Sequence, residues 1–200
     1  MVFSLYKRRM RIVSGKYRRR QLKEVSSEAT RSTKDRVKES LFNILGTTVQ
    51  HACVCDAFAG SGALALEAIS RGAVHAVCIE KNNEAFSVLK DNIDSLDASS
   101  QLTILKGDAL RLLKTLDTRF DIVFLDPPYE SDLLGESLEV LKQKKLLQTG
   151  CIVVSLSRKN SEITVPEGFS LVKQRNVGIT TLTFYEWSDN DENRTISREL

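Results

Sequence analysis

Short apolar runs alternate with amphipathic stretches through most of this 200-residue chain, and this alternation restricts its fold more than any other feature. Five apolar runs are predicted strands: Ala52–Asp56, His75–Glu80, Leu102–Leu105, Asp121–Leu125 and Cys151–Leu156. The stretches between them are predicted helices: Ala63–Ser70, Asn83–Ser95, Ala109–Leu116 and Leu133–Lys144. Strands that are apolar throughout and separated by helices are typical of a parallel sheet covered on both faces. The order of elements therefore predicts a doubly wound, Rossmann-like α/β domain.

The C-terminal part departs from this pattern. Two predicted strands, Ser170–Arg175 and Ile179–Trp187, are joined by a tight turn at Asn176–Gly178, with no helix between them. A hairpin there would place one antiparallel strand in an otherwise parallel sheet. The polar residues 188–200 are expected to form a disordered tail.

The N-terminal part is strongly basic. Residues 1–38 carry thirteen Lys and Arg and three Asp and Glu, a net charge of +10, whereas the other 162 residues have a net charge of −7. This asymmetry is expected of a domain that docks a polyanion. A solvated, partly disordered tail is the alternative, but apolar residues among the charges favour a short hairpin laid on the body. The candidate nucleic-acid contacts are Arg11, Lys16, Arg18, Arg19, Arg20, Arg31, Lys34 and Arg36.

The expected division of the chain has three parts. A helix after Ser32–Asp35, with apolar positions at Val37, Leu41, Ile44 and Leu45, is predicted to end at Gly46. Residues 1–46 would be a docking arm and helix, 47–187 the catalytic domain and 188–200 the tail. No membrane span or secretory signal is recognisable. Four cysteines within apolar runs then indicate reduced thiols in a cytoplasmic protein, and no spacing indicates a metal site.

A glycine-rich turn follows the first predicted strand, in Asp56-Ala-Phe-Ala-Gly60-Ser-Gly62. Glycines at the carboxyl end of a parallel strand let the backbone approach a cofactor closely. The turn also satisfies a dinucleotide-binding pattern, with Glu80 following at a suitable distance. Asp56 favours another cofactor, because a carboxylate faces a cationic amino-acid moiety better than a pyrophosphate.

Two further carboxylates follow the next two strands. Glu80 is placed to accept hydrogen bonds from both hydroxyls of a ribose. Asp108 lies where an adenine amino group would be, and it is equally a candidate N-cap of the following helix. With their neighbours, the candidate cofactor-binding residues are Asp56, Phe58, Ala59, Gly60, Ser61, Gly62, Glu80, Lys81, Asp108 and Ala109.

The most specific motif, Asp126-Pro127-Pro128-Tyr129, comes directly after the fourth predicted strand. The prolines form a stiff corner beside the cofactor site. An exocyclic base amine is a poor nucleophile because its lone pair is delocalised into the ring. Asp126 and the carbonyl of Pro127 could accept its two N–H groups and aim the lone pair at a sulfonium methyl group, while Tyr129 offers a face for an unstacked base. These four residues are the predicted catalytic residues.

These motifs resemble those of class I S-adenosylmethionine-dependent methyltransferases, and in particular the bacterial RsmD-like family that methylates N2 of a guanine in 16S ribosomal RNA. The resemblance runs from about Met10 to Trp187; Thr33–Asn43 is its most discriminating part, and Arg11–Gly15 belongs to it. It implies S-adenosylmethionine as cofactor, ribosomal RNA as partner, within a partly assembled small subunit or free, and an antiparallel last strand. Nothing demands more than a monomer.

The chain departs from the family at a few positions. Ser14 and Arg19 stand where relatives usually have glycine, and Ser32 where they have proline. Because glycine gives the backbone freedom, the first two changes are expected to affect the hairpin. Ser155 stands where relatives often have an acid.

Two other functions share some of these features. A DNA adenine-N6 methyltransferase uses the same Asp-Pro-Pro-Tyr chemistry, but the chain has no room for a separate target-recognition domain. A non-catalytic RNA-binding assembly factor would not need an intact motif at Asp126–Tyr129. An NAD-dependent oxidoreductase fits less well, because no catalytic Tyr-x-x-x-Lys is present.

Overall fold

The predicted strands form one seven-stranded sheet in the computed structural model, which describes residues 10–25, 35–128, 132–158 and 165–189. The strands are β1 (Cys53–Asp56), β2 (His75–Glu80), β3 (Leu102–Lys106), β4 (Phe120–Leu125), β5 (Leu147–Arg158), β6 (Phe169–Val177) and β7 (Thr180–Trp187). The helices are α1 (Asp35–Leu45), α2 (Ala63–Ser70), α3 (Asn83–Ser95), α4 (Ala109–Leu113) and α5 (Leu133–Gln143). Short 3-10 turns occupy Gly46–Val49 and Ser99–Gln101.

The strand order is β3-β2-β1-β4-β5-β7-β6. The first five strands are parallel, and β7 runs antiparallel to both β5 and β6. The doubly wound α/β fold with one antiparallel strand is therefore confirmed. The winding direction reverses between β1 and β4, and the carboxyl ends of strands at such a reversal form a ligand-binding crevice.

Both faces of the sheet are covered, which explains why the strands are apolar throughout. One core cluster holds α1, α2 and α3 against strand residues such as Val54 and Phe124. The other holds α4 and α5 against the alternate residues, such as Cys55 and Val123. Three of the four free cysteines are buried, and Cys53 is half-buried.

The N-terminal segment Met10–Val25, hereafter the arm, forms a hairpin closed by an antiparallel bridge between Arg11 and Gln21. The amide of Ile12 donates to the carbonyl of Arg20, and that of Leu22 to Met10, both at 2.9 Å. Met10, Ile12 and Leu22 are buried in the same core cluster as α1 to α3. The predicted hairpin thus exists, and its apolar residues attach it to the body.

Several predicted boundaries were wrong. β5 begins at Leu147 rather than Cys151, because an irregularity in its pairing with β4 lets the strand continue past Gly150. The last hairpin turns at Gly178–Ile179, not Asn176–Gly178, since Asn176 and Val177 pair with β7 and Gly178 has a φ of 64°. Helix α4 ends at Leu113, three residues early, β5 and β6 each end two residues late, and the remaining boundaries agree to within one residue.

No helix within the described ranges is long and apolar enough to cross a membrane. Arg31, Ser32, Lys34, Tyr129 and the tail from residue 190 lie outside those ranges.

Candidate active site

The turn between β1 and α2, residues 57–62 (hereafter the cofactor turn), lies at the reversal point of the sheet. Gly60 and Gly62 have φ angles of 54° and 81°, in the left-handed region that favours glycine. A Cβ at Gly62 would lie 2.4 Å from Leu89, whereas a Cβ at Gly60 would meet open space. Gly62 thus packs against α3, and Gly60 leaves its side of the turn open to a ligand.

Asp56, the last residue of β1, is buried directly beneath this turn, with 1% of its surface exposed. Its Oδ2 accepts a hydrogen bond of 3.3 Å from the amide of Ala65. Its Oδ1 is buried and has no partner among the residues that the structure describes. Burial, and then the charge of Asp126, raises the pKa of Asp56 to about 7.

Such an orphaned carboxylate oxygen fits a ligand with a cationic group. Leaving a buried acceptor without a hydrogen bond costs about 1–3 kcal/mol, so a bound ammonium group would remove a penalty present in the free protein. The amino-acid moiety of S-adenosylmethionine carries such a group. The residues at this end of β1 therefore fit that cofactor.

Glu80, at the end of β2, braces the cofactor turn. Its Oε2 accepts from the amide of Gly60 at 2.7 Å and its Oε1 from the amide of Asn82 at 2.5 Å. Each carboxylate oxygen can accept a second hydrogen bond, so ribose hydroxyls could still be bound.

Of the other predicted turn residues, Ala59 and Ser61 are buried and Phe58 is half-buried.

Asp108 is the N-cap of α4, which confirms one of the two roles predicted for it. Its Oδ1 accepts from the amide of Arg111 at 3.1 Å, and Lys81 lies 3.4 Å from its Oδ2. Asp108 is half-buried, and each of its carboxylate oxygens can accept a further hydrogen bond. Lys81 is exposed, and Ala109 is the buried first residue of α4.

Asp126, Pro127 and Pro128 leave β4 at the same edge as Asp56. Asp126 is half-buried, Pro127 is buried and Pro128 is exposed. Asp56 pairs in register with Phe124, two residues before Asp126, and the Asp126 charge contributes to the raised pKa of Asp56. The structure thus brings together the predicted catalytic and cofactor segments, although Tyr129 is outside the described residues.

The basic arm residues are spread over a wide surface. Arg11 pairs with Asp35 at 3.1 Å, Lys16 donates to Gln101, and Arg20 donates to the carbonyl of Ser95. Arg18 and Arg19 are exposed at the hairpin turn, and Arg36 is exposed on α1.

The hairpin turn does not lie beside the cofactor turn. The amides of Lys16 and Tyr17 donate to the carbonyl and hydroxyl oxygens of Ser70, at 2.8 and 2.9 Å. Ser70 is the last residue of α2, whose first residue follows Gly62. The turn is therefore separated from the cofactor turn by the length of α2, about 10 Å.

The arm is held by a buried ionic cluster that no motif of the sequence predicted. Glu67, fully buried on α2, accepts from the amides of Val13 and Ser14 at 2.7 and 3.0 Å and from Nε of Arg71 at 2.8 Å. The ammonium group of Lys38, also fully buried, lies 3.7 Å from Glu67 and donates to the carbonyl of Arg11. Burial lowers the pKa of Lys38, although the charges of Glu67 and Asp35 oppose this shift. A glutamate within the otherwise apolar helix Ala63–Ser70 was the available signal.

Known proteins with similar sequences and structures agree with the fold and the site described above. The sheet order and the site at its reversal point define a class I methyltransferase fold. A family model described as conserved hypothetical protein 95 matches residues 10–186. The chain belongs to this family, the RsmD-like family whose motifs it carries.

Individual relatives agree with this assignment. The Haemophilus influenzae protein named ribosomal RNA small subunit methyltransferase D is 34% identical over 180 residues, 88% of this chain and 93% of the relative. The solved structure of YhhF from Escherichia coli has a TM-score of 0.81 and 34% identity, covering 90% of this chain and 99% of YhhF. An RNA methyltransferase from Salinibacter ruber, in complex with S-adenosyl-L-homocysteine, shares the fold, with a TM-score of 0.62 and 15% identity over 80% of this chain and 95% of that one.

Proposed function

We propose that the protein transfers a methyl group from S-adenosylmethionine to the exocyclic N2 amine of a guanine in 16S ribosomal RNA. The observation that carries the proposal is the position of Asp126-Pro127-Pro128, after β4 and beside Asp56, at the reversal point of the sheet. The names of the relatives support ribosomal RNA as substrate. Nothing favours either alternative, DNA adenine methylation or a non-catalytic assembly role.

The cofactor would lie across the carboxyl ends of β1, β2 and β3. Asp56 would bind its ammonium group, Glu80 its ribose hydroxyls and Asp108 its adenine amine, while Gly60 lets the backbone approach. Bound there, S-adenosylmethionine supplies an electrophilic methyl group. Glu80 also accepts a hydrogen bond from the amide of Gly60, which restrains the turn.

The target amine would be held at Asp126 and Pro127. The Asp126 carboxylate and the Pro127 carbonyl accept its two N–H groups, which favours a pyramidal nitrogen with its lone pair directed away from the ring. Tyr129 would stack on the extruded base. After transfer the nitrogen carries a proton in excess, and the Asp126 carboxylate would accept it. Alignment in a partly dehydrated crevice supplies most of the rate.

The RNA would be held by the basic residues of the arm, α1 and the segments flanking them: Arg11, Lys16, Arg18, Arg19, Arg20, Arg31, Lys34 and Arg36. Residues 1–46 would then be the docking part and 47–187 the catalytic domain, although α1 shares a core cluster with α2 and α3. We further propose that the protein acts in the cytoplasm as a monomer. Comparing methylation rates on free 16S RNA and on partly assembled small subunits identifies the preferred substrate.

Mapping modified nucleosides tests the proposal directly. Ribosomal RNA from cells lacking the gene should lose one N2-methylguanine, and the wild-type gene should restore it. An unchanged set of N2-methylguanines, or loss of a methylated adenine in DNA, would contradict the proposal.

Replacing Asp126 tests the catalytic assignment. Asp126→Ala should lower kcat about 100-fold or more, because an amine acceptor is lost at the transition state. Binding of S-adenosylhomocysteine should change by less than about threefold. Removing the Asp126 charge takes away a repulsion that acts on the Asp56 carboxylate and leaves that proposed cofactor ligand in place. Asp117→Ala, at an exposed loop acid on the opposite edge of the sheet, is the matched control. Full activity of the Asp126 variant would refute this mechanism.

A further inference from the structure

Asn92, on α3, is a buried polar residue that belongs to neither predicted site. Only 1% of its surface is exposed. Its Nδ2 donates to the carbonyl of Ser61 at 2.9 Å and to the carbonyl of Lys23 at 3.1 Å. Its Oδ1 accepts from the amide of Lys23 at 2.8 Å. One side chain thus binds two backbone segments that are far apart in the sequence.

The two segments belong to the two proposed ligand sites. Ser61 lies between the two left-handed glycines of the cofactor turn, and Lys23 lies in the returning strand of the arm. Met10, at the start of the arm, also contacts this point, with its sulfur 4.0 Å from the Ser61 hydroxyl. The first residue of the arm therefore contacts the cofactor turn directly, and Lys23 is linked to it through Asn92.

The bonds of Asn92 depend on the shape of that turn. Gly60 and Gly62 set its backbone conformation, and it is restrained by hydrogen bonds from Gly60 to Glu80, from Ala59 to Ile79, from Gly62 to Ala59 and from Ala57 to Phe124. A ligand that fixes the turn fixes the direction of the Ser61 carbonyl. That carbonyl in turn fixes Asn92, whose other two bonds hold Lys23.

A second set of contacts holds the arm without touching the cofactor turn. Ser70 donates to the carbonyl of Ser14 and accepts from the amide of Tyr17, at the far end of α2. Glu67 binds Val13 and Ser14 from the middle of that helix. These contacts anchor the hairpin turn whatever the state of the cofactor turn.

We propose that Asn92 is a positioning residue that couples the two sites, so that cofactor binding orders the arm and RNA on the arm tightens cofactor binding. The identity of the two ligands rests on the proposed function. The reciprocity is thermodynamic, because a ligand that favours the ordered arm is favoured by it to the same extent.

Hydrogen exchange with and without saturating S-adenosylhomocysteine tests the coupling without RNA. In the wild-type protein the ligand should slow exchange of the Lys23, Leu22 and Ile12 amides by about fivefold or more. In Asn92→Ser, whose smaller side chain leaves room for a water, this slowing should disappear. Ser70→Ala, which loosens the arm away from the cofactor turn, should keep the slowing at Lys23.

Two results would overturn the coupling. One is an unchanged exchange rate in the wild-type arm when the ligand is bound, a measurement that needs no variant. The other is wild-type slowing in Asn92→Ser. Calorimetry of S-adenosylhomocysteine binding separates this failure from failure of the proposed function. If the wild-type protein does not bind the ligand, the proposed cofactor is wrong; if it binds and the exchange rates do not change, the coupling is wrong.

Affinity for S-adenosylhomocysteine, measured with and without a 16S RNA transcript, gives a second readout. RNA should tighten binding about fivefold or more in the wild type and in Ser70→Ala, but by less than about twofold in Asn92→Ser. A merely structural role would weaken both affinities and leave their ratio unchanged, which would also overturn the proposal. If the transcript does not bind, the proposed substrate is wrong, and the exchange experiment still decides the coupling.

Discussion

The charge of Asp56 depends on the fold. Its pKa is raised from an ordinary 3.8 to about 7, first because it is buried and second because Asp126 is near. The folded protein therefore retains a proton that the unfolded chain releases. The resulting stabilisation is complete below about pH 4 and is lost as the pH rises through about 7.

Asp56→Asn should remove this dependence. Without cofactor, the stability advantage of the variant over the wild type should grow by about 1.4 kcal/mol per pH unit from pH 5 to pH 7, roughly 3 kcal/mol over that range, and level off above. Urea denaturation of both proteins at pH 5, 6, 7 and 8 measures it. A difference that stays constant over this range would show that Asp56 ionises normally.

Arg19 has a strained backbone conformation. Its φ of 70° lies in the left-handed region, and its amide donates to the carbonyl of Ile12 at 2.9 Å. The hairpin therefore keeps, at Arg19, a backbone conformation that favours glycine, which is the residue that the family resemblance implies there. Ser14 has no positive φ, and its amide and carbonyl are bound by Glu67 and Ser70, so no glycine is required there.

Arg19→Gly should stabilise the hairpin by up to about 1 kcal/mol, because the relief of left-handed strain exceeds the extra entropy of an unfolded glycine. Exchange of the Ile12 amide, which closes the hairpin, reports its opening free energy. Arg18→Gly is the matched control, since Arg18 has no positive φ and the same charge is removed. That variant should destabilise the hairpin by about 0.5–1 kcal/mol; equal effects would contradict this account of the strain.

At the scale of elements, the arm and α2 are packed backbone against backbone. Gly15 has a φ of 84°, and a Cβ there would lie 1.7 Å from the carbonyl oxygen of Ser70. A main-chain atom cannot move aside as a flexible side chain does. The docking of the hairpin on α2 thus requires glycine at this position.

Gly15→Ala should detach the hairpin turn from α2. The amides of Lys16 and Tyr17 should lose their protection from exchange, and RNA binding should weaken about tenfold or more, while the sheet remains folded. Gly46→Ala is the control, because Gly46 also has a positive φ but a Cβ there meets nothing within 4 Å. Gly46→Ala should lower the free energy of unfolding by about 1–2 kcal/mol through backbone strain, without affecting the arm. If the Lys16 and Tyr17 amides stay protected in Gly15→Ala, the contact between Gly15 and Ser70 does not require glycine.

At the scale of the whole molecule, the basic hairpin turn lies apart from the proposed catalytic site. The first 38 residues carry a net charge of +10 and the rest −7, yet the hairpin turn lies about 10 Å from the cofactor turn. An RNA that contacts both turns must span this distance over the surface of the protein. Charge at the hairpin turn should therefore affect long substrates more than short ones.

Arg18→Gln combined with Arg20→Gln should weaken binding of a 16S RNA transcript and flatten its salt dependence. The slope of log K against log salt should fall by about 1.4–1.8, because two fewer phosphates release their counterions. Lys114→Gln with Lys144→Gln, two exposed lysines near α4 and α5, should leave the slope unchanged. Equal slopes for the arginine variant and the wild type would exclude the hairpin turn as a docking surface.

Local patterns of the sequence determined the order of elements and the edge at which the site lies. Apolar runs predict buried strands, and parallel strands all end at one edge, so Asp56, Glu80, Asp108 and Asp126 were expected to meet there. The chemistry of Asp126–Pro128 could likewise be inferred, because it depends on residue types in one short segment. Boundaries in β5 and the last hairpin were wrong, since pairing across strands decided them.

Only the tertiary structure decided how the arm is attached and how the acids are charged. Lys38 and Asn92 look like ordinary helix residues along the chain, and Glu67 stands out only as an acid within an apolar helix. Each acquires its role from segments 27 to 69 positions away. The raised pKa of Asp56 likewise comes from burial and from Asp126. Burial and long-range hydrogen bonds depend on packing between distant segments, which no local pattern in a single sequence encodes.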